Sequence, residues 1–296
     1  MLRRIIEPLV GQKGTRTLKA AINGWRTRVI KVLFGYDADR LQLVLRRMGI
    51  VETDTVLVHA NFEPDSGFRG TPSDLVEAFV GLVGEKGNLM MVSIPFRGSA
   101  YDYLSRNKTF HVKKTMSMMG LVTEIFRRRD ETARSVHPTH PVLAYGKNSA
   151  WITDGHDACI FPCGSGTPFE KLRQLKGKIL FFDAGFGAIT FFHYVEDLLK
   201  DKLALPVYED RVFASGVVGH DGVRREMQTY AFTKGVLRDT VTLEREMMRH
   251  NKLIVGKVGH SRLLLVTAED VVSMMTDMVG NGWVPYGSVD SPGTSK

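Results

Sequence analysis

Cysteine is nearly absent: the 296 residues hold two, Cys159 and Cys163 in ACIFPCGSG. No second pair exists to complete an all-cysteine tetrahedral zinc site, and a reduced cytosolic pair is the expected state. Long apolar runs are missing as well. None reaches the ~18 residues a spanning helix requires, and no compact apolar run with a cleavage site opens the chain, so the cytoplasm is the expected location. The dinucleotide fingerprint is incomplete, because DAGFGAIT carries Gly-x-Gly after a strand without the third glycine. Nor does the chain contain a phosphate-loop motif, a Gly-x-Ser-x-Gly serine elbow or a His-Glu-x-x-His zinc helix. Proline, glycine and serine never gather into a linker, and no repeat or low-complexity segment precedes the tail SVDSPGTSK.

What is present is an ordinary globular composition, 43% hydrophobic and 24% charged, with a formal net charge of +8. Most of that charge is local. The first 35 residues hold eight basic side chains, Arg3, Arg4, Lys13, Arg16, Lys19, Arg26, Arg28 and Lys31, against the single acid Glu7. The same segment holds Ile22, Trp25, Val29, Ile30 and Val32, which read as an amphipathic helix. Such a helix packs its apolar stripe on the core as the expected arrangement, with peripheral membrane contact as the alternative. Charge alone, with no recognised motif, does not make nucleic acid an expected partner. Nothing in the sequence indicates an oligomeric state.

Strand-like and helix-like patterns then alternate. TVLVHA at 55–60, NLMMVSI at 88–94, PVLAYG at 141–146 and KILFFDAG at 178–185 read as strands. SDLVEAFVGLVG at 73–84, MGLVTEIFRRR at 119–129 and TPFEKLRQL at 167–175 read as helices. KILFFDAG is apolar on both faces and belongs inside the sheet. Thr71-Pro72 and Thr167-Pro168 are helix starts. From about residue 209 the pattern becomes β-rich, with a hairpin at Gly219-His220-Asp221-Gly222, a helix TLEREMMRH, a strand pair KLIVGKVG and RLLLVT, and a closing helix AEDVVSMMTDMV. The expected organisation is a basic N-terminal helical extension at 1–36, one α/β domain at 37–285 and a tail at 286–296.

Two constellations carry chemistry. SVHPTH places His137 and His140 around a proline, which stiffens the segment and suits either a fixed proton acceptor or a metal ligand. TFFHYVED pairs His193 with Glu196 at helical spacing, in a helix expected to begin at Thr190, just beyond a strand end where open α/β sheets bind ligands. GSGTPF, with Ser165 and Thr167, is a loop running into a helix start, where backbone amides can hold phosphate or carboxylate.

Taken in order, VLVHANF, GFRGTPSDLVEAFVGLVGEKGNLMMVSIPF, MGLVTEIFRRR, RSVHPTHPVLAYG, GSGTPFEKL, GKILFFDAG and TFFHYVED resemble the aminoglycoside 3-N-acetyltransferase family. The resemblance implies a three-layer α/β/α sandwich with a central mixed sheet and a C-terminal β elaboration. It also implies acetyl-coenzyme A as acyl donor and direct transfer to the amine of a small-molecule acceptor. His137 and His140 match the catalytic segment, and His140, directly before a strand, is the expected base. Glu124 is expected to orient an imidazole, and Glu196 to act with it. On the same footing Ser165, Thr167, Gly185 and Thr190 fall on the coenzyme side, and His59 and His193 on the acceptor side. No metal is expected. Pro141 and Ile189 stand where many members have serine and asparagine. Since no acidic cluster marks the matching loops, a neutral or anionic amino sugar is the expected acceptor. A metal-dependent hydrolase built on His137, His140, His193 and Glu196, and a non-catalytic binding protein on the same fold, remain the alternatives.

Overall fold

The structure, a computed structural model, describes residues 21–22, 24–63 and 65–287. Helix α1 covers 24–33 and is followed by α2 (Ala38–Arg47), β1 (Thr55–Ala60), α3 (Pro72–Val83), β2 (Asn88–Val92), α4 (Ala100–Ser105), β3 (Phe110–His111) and α5 (Leu121–Arg127). Next come β4 (Ala133–Arg134), β5 (Val142–Gly146), α6 (Ser149–Thr153), α7 (Pro168–Gln174), β6 (Lys178–Phe182) and α8 (Phe192–Leu199). The chain continues through β7 (Tyr208–Val218), β8 (Arg224–Phe232), β9 (Leu237–Arg238), α9 (Thr240–Arg249), β10 (Ile254–Val258), β11 (Ser261–Thr267), α10 (Ala268–Gly280) and β12 (Tyr286–Gly287).

Seven strands form the central sheet in the order β10-β11-β6-β1-β2-β5-β4. Strands β6, β1 and β2 run parallel, whereas β5, β4, β11 and β10 join antiparallel to their neighbours. Side chains alternate across this sheet as pleating demands. Val56, Val58, Leu89, Met91, Leu180 and Phe182 pack under α2, α3 and α5, while Leu57, Met90, Val92, Ile179, Phe181 and Leu264 pack under α6–α10. Both faces are therefore covered, which accounts for the unbroken apolar run of KILFFDA. The expected three layers are the layers observed.

Helix starts are set locally. At α3, Thr71 accepts from the Asp74 amide while the Asp74 carboxylate accepts from the Thr71 amide, closing a capping box with Pro72 in the first turn. Thr167 occupies the matching position before α7 but does not cap it, because its hydroxyl donates to the Gly164 carbonyl at 2.6 Å. Helix α8 begins at Phe192 rather than at Thr190, which lies in the turn before it.

The β-rich C-terminal part is used in two places. The hairpin β7–β8 pairs with β3, from the middle of the chain, in a separate three-stranded sheet. The second pair, β10–β11, instead completes the central sheet beside β6, so it is part of the core layer rather than an addition to it. Among the described residues, no helix is long and apolar enough to cross a membrane.

Candidate active site

The parallel strands β1, β2 and β6 end on one edge at Ala60, Val92 and Phe182, and antiparallel β5 starts there, Val142 opposite Val92. The His-Pro-Thr-His segment feeds into β5 and the chain leaves β6 toward α8, so the two chemical constellations converge on the edge where α/β sheets bind ligands.

Buried polar contacts hold the first segment rigid. The Arg134 guanidinium, stacked 4.8 Å over Phe110, donates to the carbonyls of Val112, Thr115 and Ser93, and burial lowers its pKa to about 9. The Ser135 hydroxyl accepts from the Val142 amide and lies 2.8 Å from His156 Nδ1. His156 Nε2 faces the Pro162 carbonyl at 3.1 Å, which requires the proton on Nε2 and leaves Nδ1 to accept from Ser135. His137 is fully buried and stacks on His156 at 4.5 Å. Its Nδ1 accepts from the amides of Thr139 and His140, which puts its own proton on Nε2, 3.3 Å from the Thr229 hydroxyl. Both nitrogens of His137 are thus occupied in shaping the loop. The Thr139 hydroxyl connects it to His140, whose Nδ1 is 3.0 Å away.

The second constellation is a relay. His193 Nδ1 lies 2.6 Å from Glu196 Oε2, and the Arg238 Nε donates to both oxygens of the same carboxylate at 3.2 and 3.4 Å. Glu196 is fully buried. Burial by itself would raise its pKa, but the hydrogen bond from the His193 imidazole and the Arg238 guanidinium beside it outweigh burial and hold the carboxyl below its ordinary value. With Nδ1 bonded to Glu196, Nε2 of His193 carries no hydrogen bond among the described residues, and the ring is pinned by stacking on Phe232 at 4.3 Å.

His140 and His193 meet at a cleft of about 280 Å³, with ring centroids 6.0 Å apart. Phe96, Phe232, Lys234 and Arg238 complete much of its wall, and among the described residues no carboxylate lines it. Lys234 pairs with Asp102 at 2.7 Å. His140 is buried, and desolvation first, then the neighbouring imidazoles of His193 and His156 and the Arg238 guanidinium, push its pKa well below 6.5.

His59 occupies a separate place at the same sheet edge. It stacks on Phe181 at 5.1 Å beside a cavity of about 210 Å³ lined by Asn61, Met119, Thr123, Ala184 and Ala188. Its Nε2 is buried without a hydrogen-bond partner among the described residues, and desolvation lowers its pKa to about 4.

Several expected residues lie elsewhere. Glu124 orients no imidazole: its oxygens accept from Arg127, Arg128 and the Ser117 amide, because guanidinium groups three and four residues along its own helix reach it first. Ser165 donates to Glu170, and Thr167 is buried against Gly164, so neither hydroxyl faces the cleft. Thr190 Oγ1 approaches only the Ala188 carbonyl, at 3.5 Å, and Gly185 precedes the short turn Phe186–Ala188 without lining the cleft. His137, with both nitrogens occupied, cannot join His140 and His193 as a ligand, and among the described residues no three His, Cys, Asp or Glu side chains converge as a metal site. Cys159 and Cys163 are free thiols. Sequence reasoning missed His156 and Arg238. The first stands 16 residues beyond His140 and the second 42 beyond Glu196, and neither sits in a motif that signals its partner.

Comparison with known proteins matches the chain to one family. The family model for aminoglycoside 3-N-acetyltransferases matches residues 57–280. Aminoglycoside N(3)-acetyltransferase III of Serratia marcescens is 26% identical over 254 residues, covering 77% of this chain and 91% of that protein. Among solved structures, aminoglycoside acetyltransferase AAC(3)-Xa superposes with a TM-score of 0.71 at 21% identity, covering 84% of this chain and 94% of its own. AAC-IIIb, solved as a binary complex with CoASH, gives 0.71 at 18% identity over 84% and 98% of the two chains. At those identities the structural likeness speaks for the fold, and the family match over most of the chain speaks for the enzyme class. The chain belongs to the aminoglycoside 3-N-acetyltransferase family of N-acetyltransferases.

Proposed function

We propose that this chain transfers an acetyl group from acetyl-coenzyme A to the amine of a small-molecule acceptor bound in the His140–His193 cleft, with His193 as general base. The observation that carries the reading is the relay Arg238–Glu196–His193, which opens on the cleft through His193 Nε2. A sugar ammonium must first lose a proton; its nitrogen then attacks the acyl carbon, a second proton leaves the nitrogen, and the carbon–sulfur bond breaks. The first proton passes to solvent before the amine attacks; His193 Nε2 accepts the second, released during attack, and can return it to the departing thiolate, so one proton leaves to water for each acetyl group transferred. Glu196 fixes the His193 tautomer and stabilises the imidazolium that forms, and Arg238 keeps the buried carboxylate charged. The relay supports His193 in the role that position before a strand suggested for His140. The latter, held neutral beside the base, serves as a wall and hydrogen-bonding group of the cleft.

Acetyl-coenzyme A supplies the thioester. AAC-IIIb is described as bound to CoASH, and an orphaned buried nitrogen is the kind of feature a thioester or pantetheine group would satisfy. We assign His59 Nε2 and its cavity to that end of the donor. For the acceptor, the lack of a lining carboxylate among the described residues favours a neutral or anionic amino sugar over a polycationic aminoglycoside, while Lys234 and Arg238 at the wall are already paired with Asp102 and Glu196.

The test is thiol release from acetyl-coenzyme A, followed colorimetrically across a panel of amino sugars, nucleotide-linked amino sugars and aminoglycosides. His193→Ala should abolish transfer while leaving coenzyme binding by calorimetry intact. Full turnover in that variant would refute the assignment of the base, and higher kcat/KM for aminoglycosides than for every neutral or anionic acceptor would refute the acceptor class.

A further inference from the structure

Helix α1 presents an apolar stripe to the outside. At 3.6 residues per turn, Trp25, Val29, Val32 and Leu33 fall within an arc of about 100°. Three of these are open to solvent: Trp25 by 69%, Val32 by 75% and Leu33 by 67%. This reverses the expected core packing. The helix is seated instead by Ile30, which is buried, by the Arg26–Asp65 ion pair at 2.7 Å, and by a tight approach at its end. There the Phe34 carbonyl lies so near Gly259, in the β10–β11 turn, that a side-chain carbon at Gly259 would collide with it and with Tyr36, and Gly259 also has a φ of +55°. The side of the helix that faces the protein is therefore the Ile30 side, and the stripe points away.

Cations flank the stripe on both sides. Arg28 stands next to Val32 around the helix and Arg26 next to Leu33, while Lys31 lies farther round on the polar side. Arg28 and Lys31 are exposed, as is Arg69, whose guanidinium reaches the Lys31 carbonyl. The preceding sequence adds five further basic residues against one acid. A protein partner matched to a strip of this kind would need a groove with acidic rims, whereas an anionic lipid surface provides both halves at once. Apolar side chains enter the acyl boundary, arginine and lysine stems stretch up to the headgroups, and tryptophan favours the interface between them.

We infer that α1 docks the enzyme on an anionic bilayer surface, with Trp25, Val32 and Leu33 inserted and Arg28 and Lys31 against lipid phosphates. The helix lies in the plane of the interface and does not cross it. None of the cleft residues takes part.

The test uses the purified full chain and sedimentation with vesicles of phosphatidylcholine alone or mixed with phosphatidylglycerol. Binding is expected on the mixed vesicles only, to fall as salt is raised, and to shift Trp25 emission to the blue, with Trp25→Phe as the reference for Trp151 and Trp283. The pair Trp25→Glu and Leu33→Glu should weaken binding by roughly tenfold or more, and the pair Arg28→Glu and Lys31→Glu should do so separately. Thermal midpoint and transferase activity should be unchanged in both, since these side chains touch neither core nor cleft. Failure of the full chain to bind the mixed vesicles, or undiminished binding by both variant pairs, overturns the inference. So does a dimer, seen by light scattering, that the Trp25→Glu and Leu33→Glu pair dissociates, for then a second copy covers the stripe.

Discussion

Acidification should unfold this protein well before its carboxylates titrate, because four histidines are buried in neutral form. His59, His137, His140 and His156 are each at most 6% exposed. Desolvation is the leading cause that lowers every one of them: to about 4 in His59, to about 3 in His156, where the Pro162 hydrogen bond opposes it only in part, and well below 6.5 in His137 and His140. The unfolded chain protonates these imidazoles near 6.5, so below that pH it binds more protons than the folded chain, and stability must fall as pH falls. At about pH 5 the unfolded histidine is almost fully charged while the folded one is still neutral, which costs about 2 kcal/mol per residue. His59 and His156 together cost about 4 kcal/mol and His137 and His140 add in the same direction, a large share of the whole stability of an ordinary domain. Depressed carboxyls act in the same direction but later: Glu124, where burial is outweighed by Arg127, the Ser117 amide and Arg128, is held at about 2, and its share is lost only between about 4.5 and that value. Urea unfolding followed by circular dichroism at several pH values between about 7 and about 5 measures the slope directly. An unfolding free energy that changes by less than about 1 kcal/mol across that range would refute the reasoning, since even one buried neutral histidine should move it further.

Replacing Glu196 by Gln keeps the shape of the relay but removes the charge that stabilises the His193 imidazolium; kcat should drop by about 10²–10⁴ with the far-ultraviolet spectrum unchanged. Arg238→Ala leaves that carboxylate buried without its guanidinium, and chemical denaturation should register a loss of about 3–5 kcal/mol. Thr71→Ala opens the α3 capping box far from the cleft, so it should cost about 1 kcal/mol in the same assay while kcat/KM stays at the wild-type value.

Some of this was legible from residue order alone. The short apolar runs at 55–60, 88–94 and 178–185, set between helical patterns, read as strands, and Thr71-Pro72-Ser73-Asp74 caps a helix through contacts confined to four residues. The His193–Glu196 pair belongs to the same class, because one helical turn suffices to bring the two together. Local rules also explain the failure at Glu124. Its helix carries Arg127 and Arg128 within reach, and a carboxylate saturated by near neighbours has no oxygen left for a distant imidazole. Thr167 shows the same competition, its hydroxyl taken by Gly164 before it could cap α7.

What the amino-acid sequence determined by itself was the main strands and longer helices and their order, the stiff His-Pro-Thr-His turn and the carboxylate one turn from His193, all consequences of steric and hydrogen-bonding rules that act over a few residues. Tertiary structure decided the rest. Arg238 reaches Glu196 only because β9 returns beside α8, and His156 holds Ser135 only because its loop folds under the turn. The hairpin β10–β11 enters the central sheet because β6 offers an open edge with matching apolar faces. The periodicity of α1 defined an apolar face but not what that face meets, since a helical repeat is the same whether core or solvent lies against it. The placement of Ile30 and the close approach at Gly259 turned that face outward.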